Sequence, residues 1–66
     1  MKISDTVITK LKEDKELRRK VATSLSIGEQ AIFNAINRNS KTLLNINCIK
    51  TIKEETGLLE SEILVD

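Results

Sequence analysis

Apolar residues in this chain recur every three or four positions and seldom alternate, which predicts helices throughout. Val7, Ile8 and Leu11 share one face of a first helix over about residues 5–14, with Ile3 just before it and Ser4 or Asp5 as its cap. Leu17, Val21 and Leu25 recur at intervals of four and form the stripe of a second helix, about residues 15–25, which Asp14 can cap. Ser26, Ile27 and Gly28 interrupt the run. A third helix follows over about residues 29–38, with Gly28 as a weak cap and Ile32, Ala35 and Ile36 facing inward. Asn39 suits the left-handed residue that closes it, and Asn39, Ser40, Lys41 and Thr42 read as a polar loop. Asn45 or Asn47 caps a fourth helix that runs to Thr56 and stops at Gly57, with Ile49 and Ile52 inward. With Asn45 as the cap, Leu44 and Ile49 form a hydrophobic staple around it. Leu58, Leu59, Ile63 and Leu64 predict a short last helix of about residues 60–64 under the core. The expectation is one all-α domain, residues 1–66, built as a compact bundle of four to five short helices.

The most informative stretch runs from Arg18 to Asn39. Two helices that cross closely over a three-residue turn need a small side chain where their backbones approach, and Ala22 supplies it. A larger residue there overpacks, at about 1–3 kcal/mol. Leu25 and Ile27 plug the turn, and Ile32 packs back on the second helix. This is the helix-turn-helix arrangement, which lays its second helix in a DNA major groove.

Composition narrows the alternatives. Sixty-six residues allow a single small core, and Phe33 is its only available aromatic. Cys48 is alone, and the chain has no His, so neither a zinc site nor a Cys–His nucleophile pair can be assembled. Cys48 reads as a small apolar filler, suited to a reducing compartment. No phosphate-binding glycine loop or metal-ligand cluster is present, and Glu54-Glu55 and Glu60-Glu62 read as solvated faces. The expectation is a non-enzyme with no cofactor and no small-molecule ligand. No apolar run approaches the roughly 18 residues a membrane span needs. The opening MKISDTVITKLKED is too broken by charge for a signal peptide, so the expected location is cytoplasmic. Net charge is only +1, but residues 1–20 carry seven basic against four acidic side chains, and residues 21–50 three against one. Residues 51–66 hold Lys53 against five acids. A basic body with an acidic end suits a polyanionic partner, or is ordinary surface charge.

By Ala22, Leu25, Ser26-Ile27 and Ile32 the chain resembles the lambda-repressor-like family of Cro and repressor-type regulators. The run Gln30-Ala31-Ile32-Phe33-Asn34-Ala35-Ile36 is similar to the recognition helix of small phage Cro proteins. Ile49 to Leu58, with Gly57, resembles that family's fourth helix and its glycine-ended turn, so the likeness spans about residues 5–64. Two positions depart from the pattern: Ser26 stands where the family has Gly, and Leu59 where a polar cap is common. If Ser26 needs a positive φ, it costs roughly 1 kcal/mol.

The resemblance implies a small sequence-specific transcriptional regulator, a repressor of phage, plasmid or bacterial origin, that binds double-stranded DNA. Its groove-facing slots fall on Gly28, Glu29, Gln30, Phe33 and Asn34. Gln30 and Asn34 lie one helical turn apart, and each amide can make a bidentate pair with adenine. Glu29 either accepts from a cytosine amino group or repels phosphates. Phe33 either faces the groove, where it can touch a thymine methyl, or packs partly against the first or second helix. Phosphate contacts are expected from Arg18, Arg19, Lys20, Asn37, Arg38, Asn39, Ser40, Lys41 and Thr42; Arg18 occupies the slot of the family's phosphate-gripping Gln. Family members bind as dimers, so the resemblance leaves open a homodimer, in solution or only on DNA; Leu58, Leu59, Leu64 and Val65 are its candidate contacts, unless Leu64 and Val65 instead finish the core. The alternative is a protein-interaction module of the same fold, antitoxin-like or anti-repressor. A positive rim around the third helix favours DNA; a neutral apolar patch at Phe33 favours protein.

Overall fold

Three of the five helices begin where a side chain accepts from an open first-turn amide. The computed structural model describes residues 1–66 and contains α1 (Asp5–Glu13), α2 (Lys15–Leu25), α3 (Glu29–Arg38), α4 (Ile46–Thr56) and a one-turn α5 (Glu60–Ile63). Ser4 Oγ accepts from Val7 N, Asp14 Oδ1 from Leu17 N at 3.2 Å, and Asn45 Oδ1 from Asn47 N at 2.8 Å. Asn45, not Asn47, is therefore the cap of α4. The helix ends follow the same economy. Ser26, Asn39 and Gly57 adopt left-handed conformations, with φ of 56°, 47° and 73°. Ser26 thus sits in the strained region that its departure from Gly raised, at a cost of roughly 1 kcal/mol.

The core is the apolar stripe of each helix brought together. Val7 and Leu11 of α1, Leu17, Val21 and Ala22 of α2, Ile32, Ala35 and Ile36 of α3, Cys48 and Ile52 of α4, and Ile63 of α5 are buried. The second helix is the central one and packs on α1, α3 and α4. At its carboxyl end Leu25 is half-buried and covers the core with Ile27, as expected of residues that plug a turn.

Three local readings need correction. Residues 41–44 are a 3-10 turn rather than plain loop, started by Ser40, whose Oγ accepts from Thr42 N at 3.2 Å. Within this turn Leu43 is fully buried in the core. On α4 the fully buried face is Cys48 and Ile52; Ile49 is only half-buried. The last helix stops at Ile63, because Leu64 and Val65 are extended. They pair antiparallel with Lys2–Ile3, in the register Lys2↔Val65 and Ile3↔Leu64. We number these strands β1 (Lys2–Ile3) and β2 (Leu64–Val65). Ser4 extends the seam: its N–H donates to Ile63 O and its hydroxyl to Glu62 O, both at 2.8 Å. The two ends of the described chain are therefore stitched together, beside the turn at residues 41–44. Leu59, which lacks a capping oxygen, is compensated by Glu62, whose Oε1 accepts from Leu59 N at 2.9 Å.

Cys48 is sealed in this core, and burial pushes its thiol up to about 11 from an ordinary 9.0. The folded pKa lies above the unfolded one, so this contribution to stability is intact below about pH 9 and is lost as pH rises toward 11. The thiol is expected to resist alkylation at about pH 8 in the native protein and to react freely in urea. Rapid native-state labelling, followed by mass spectrometry, would show that the side chain is not enclosed.

Candidate nucleic-acid interface

The third helix is amphipathic, and its two faces have separate fates. Burying Ile32, Ala35 and Ile36 turns Glu29, Gln30, Phe33, Asn34, Asn37 and Arg38 outward, and all six are exposed. Gln30 Nε2 donates to Asn34 Oδ1 at 3.4 Å, a long bond between exposed amides one turn apart. Neither amide bonds elsewhere in the protein, so the two are free to turn toward an external partner. Gly28 starts the helix in extended conformation with no side-chain cap. A Cβ placed on it would meet nothing within 4 Å. The first-turn N–H groups of α3 therefore have no side-chain acceptor and stay open to water or an anion.

Two concavities flank this ridge. On one side, a groove of about 290 Å³ is lined by Asn34 and Arg38 of α3 together with Ser40 and Thr42, with Ile27, Ala31 and Ala35 as its apolar part. On the other, a cleft of about 180 Å³ lies between α2 and α3, lined by Arg18, Arg19, Ala22, Thr23, Glu29 and Ile32. Both flanks carry a guanidinium. Ala31 and Thr23 were not among the residues singled out from sequence. Their signal was positional: Thr23 lies four residues after Arg19, and Ala31 three before Asn34.

The expected phosphate-contacting residues divide by what already engages them. Arg38 and Lys41 are exposed and in no ion pair. Arg19 meets Glu16 at 3.8 Å with both side chains largely exposed, a pair that an incoming phosphate can displace because such pairs are worth little. Lys20 is turned to α4, where its ammonium donates to Glu55 Oε1 at 2.7 Å. That partner raises the pKa of Lys20. Asn39 directs its amide nitrogen inward to Ile3 O at 3.0 Å, which ties the end of α3 to β1. Arg18 is half-buried and is held by the end of α1, with Nη1 donating to Leu11 O at 3.0 Å and Lys12 O at 2.9 Å. The positive rim therefore consists of Arg19, Arg38 and Lys41 rather than all five cations. Phe33 takes a middle course between its two expected positions: it is 41% exposed, and the Arg18 guanidinium lies 5.0 Å from its ring centroid.

No group of three His, Cys, Asp or Glu side chains is placed to hold a metal ion, and no helix is long and apolar enough to cross a membrane. Leu58 and Leu64 are half-buried against the core, whereas Leu59 and Val65 are exposed. No family model, curated protein or solved structure matches this chain.

Proposed function

We propose that this chain binds double-stranded DNA sequence-specifically, as a small transcriptional regulator of the lambda-repressor-like type acting in the cytoplasm as a repressor. The observation that carries the reading is the ridge of α3: two amides, Gln30 and Asn34, bonded only to each other on an exposed helix face, with guanidinium-bearing concavities along both flanks. A helix lying in a major groove meets base edges along its ridge and a phosphate strand on each side. In this arrangement α2, the Ser26-Ile27-Gly28 turn and α3 form the helix-turn-helix. Gln30 and Asn34 read adenine, while Arg19, Arg38, Ser40, Lys41 and Thr42 set the register against phosphates. One domain covers only one half-site, so two copies are expected on DNA at a spacing of roughly 34 Å.

Selecting bound duplexes from a random pool, at a fixed salt concentration, tests the reading directly. Enrichment of an A·T-containing half-site, repeated one turn away, is the expected result. A pool that enriches nothing would return the α3 face, with its half-covered Phe33, to the protein-binding alternative. Lys41→Ala is expected to weaken binding to selected and scrambled duplexes about equally and to lower the salt slope by roughly one unit. A loss confined to the selected duplex would assign Lys41 to base reading instead.

A further inference from the structure

We propose that Arg18 is a positioning residue for Phe33, and that the pair reads the C5 methyl group of a pyrimidine in the major groove. This rests on the reading of α3 as the DNA-contacting helix.

Arg18 leaves the first turn of α2 and crosses to the carboxyl end of α1. The carbonyls of Leu11 and Lys12 there lack helical partners, and Nη1 bonds both. A cation at that end also opposes the helix dipole. The price is an Nε that is cut off from solvent without a partner. Swinging the side chain out to a phosphate would solvate that nitrogen, but it would break both carbonyl bonds and uncover the ring. The arginine thus joins three helices: it belongs to α2, grips α1, and lies over Phe33 of α3 within cation–π reach.

For Phe33 the consequence is a fixed ring. The guanidinium covers part of it, and 41% of the residue stays open. Ordering of this aromatic is completed on folding rather than on binding, so a ligand contact need not supply it. What such a ring offers is apolar and rigid, and the one apolar feature that major-groove base edges display is the pyrimidine C5 methyl. Phe33 follows Gln30 by three residues and precedes Asn34, so it neighbours the two amides. An adenine bound by an amide brings its thymine partner into the same groove, methyl outward.

The test uses the full chain and a duplex enriched from the random pool, with each thymine replaced in turn by deoxyuridine, which removes only the methyl. At one position the wild-type protein is expected to lose roughly three- to fivefold in affinity, the weight of one methyl taken out of water. Phe33→Ala should bind both forms equally. Arg18→Met, checked for folding by thermal unfolding, should also bring the ratio to about one. Arg18→Lys keeps the charge but not the planar fork, and should fall in between. The same ratio can be read from Arg18→Lys alone if the methionine variant does not fold. Tolerance of uracil at every position by the wild type overturns methyl reading while leaving DNA binding intact. A wild-type ratio in Arg18→Lys, or in a folded Arg18→Met, removes Arg18 from the positioning role. An equal loss on all duplexes with a shallower salt slope would make Arg18 a phosphate contact. If no duplex is enriched, the DNA reading falls and this inference falls with it.

Discussion

Ile32→Ala is expected to remove a large part of the protein's stability. Ile32 is fully buried on α3, lines the cleft beside Ala22 of α2, and sits on the opposite face from Gln30 and Asn34. Removing an isoleucine side chain from a core costs about 2–5 kcal/mol, since the neighbours only partly close over the space. A chain of this size has on the order of 3–10 kcal/mol of stability in all, so the loss consumes much of it. In thermal unfolding the midpoint should fall by more than about 10 °C. The control is Asn37→Ala on the exposed side of the same helix, which should move the midpoint little. An unchanged midpoint for Ile32→Ala would mean that α3 does not seat on α2 as described. The same variant should lose DNA binding in proportion to its unfolded fraction, which separates it from a change on the reading face.

The helices were legible because burial and period coincide in them. Val7, Leu11, Leu17, Val21, Ile32 and Ile36 are spaced for one helical face and all are buried. The misread features are those in which long-range geometry overrides local pattern. Lys2–Ile3 and Leu64–Val65 make two strands of two residues each, too short for any alternation to register. Their pairing depends on bringing residue 3 next to residue 64, which no local window contains. Leu43 is the same kind of case: the sequence marks it as apolar, but only the path of the chain after Asn39 decides that it reaches the centre while Ile49 is half-buried.

The candidate site was legible to a different depth. The exposed face of α3 follows from its buried one, so Gln30 and Asn34 could be placed outward from spacing alone, while Phe33 stayed open between the groove and the first two helices. The partners of the cations could not. Arg18, Arg19 and Lys20 are consecutive and look equivalent in sequence, yet successive helical positions point about 100° apart. One is drawn to the end of α1, one to solvent beside Glu16, and one to Glu55 on α4. Asn39 was expected both to end α3 and to meet phosphate. Its left-handed backbone ends the helix, and its side chain bonds Ile3 O, a partner 36 residues away.

Asn34→Ala is expected to cost about 1–3 kcal/mol on the selected duplex and almost nothing on a scrambled one. Asn34 is exposed, so its removal leaves the core intact, and thermal unfolding should report a native midpoint. Its amide lines the groove shared with Arg38, Ser40 and Thr42, and its one bond is the 3.4 Å contact from Gln30. That bond couples the two amides. When Asn34 is gone, Gln30 loses the neighbour that orients its amide, so the double variant Gln30→Ala/Asn34→Ala should lose less than the sum of the single losses. Strict additivity would show that the amides read independently. Equal losses on selected and scrambled duplexes would take Asn34 out of the base-reading set, and would leave its flank as a phosphate surface only. The salt slope should stay at its wild-type value in either amide variant, because neither residue carries a charge to exchange for counterions.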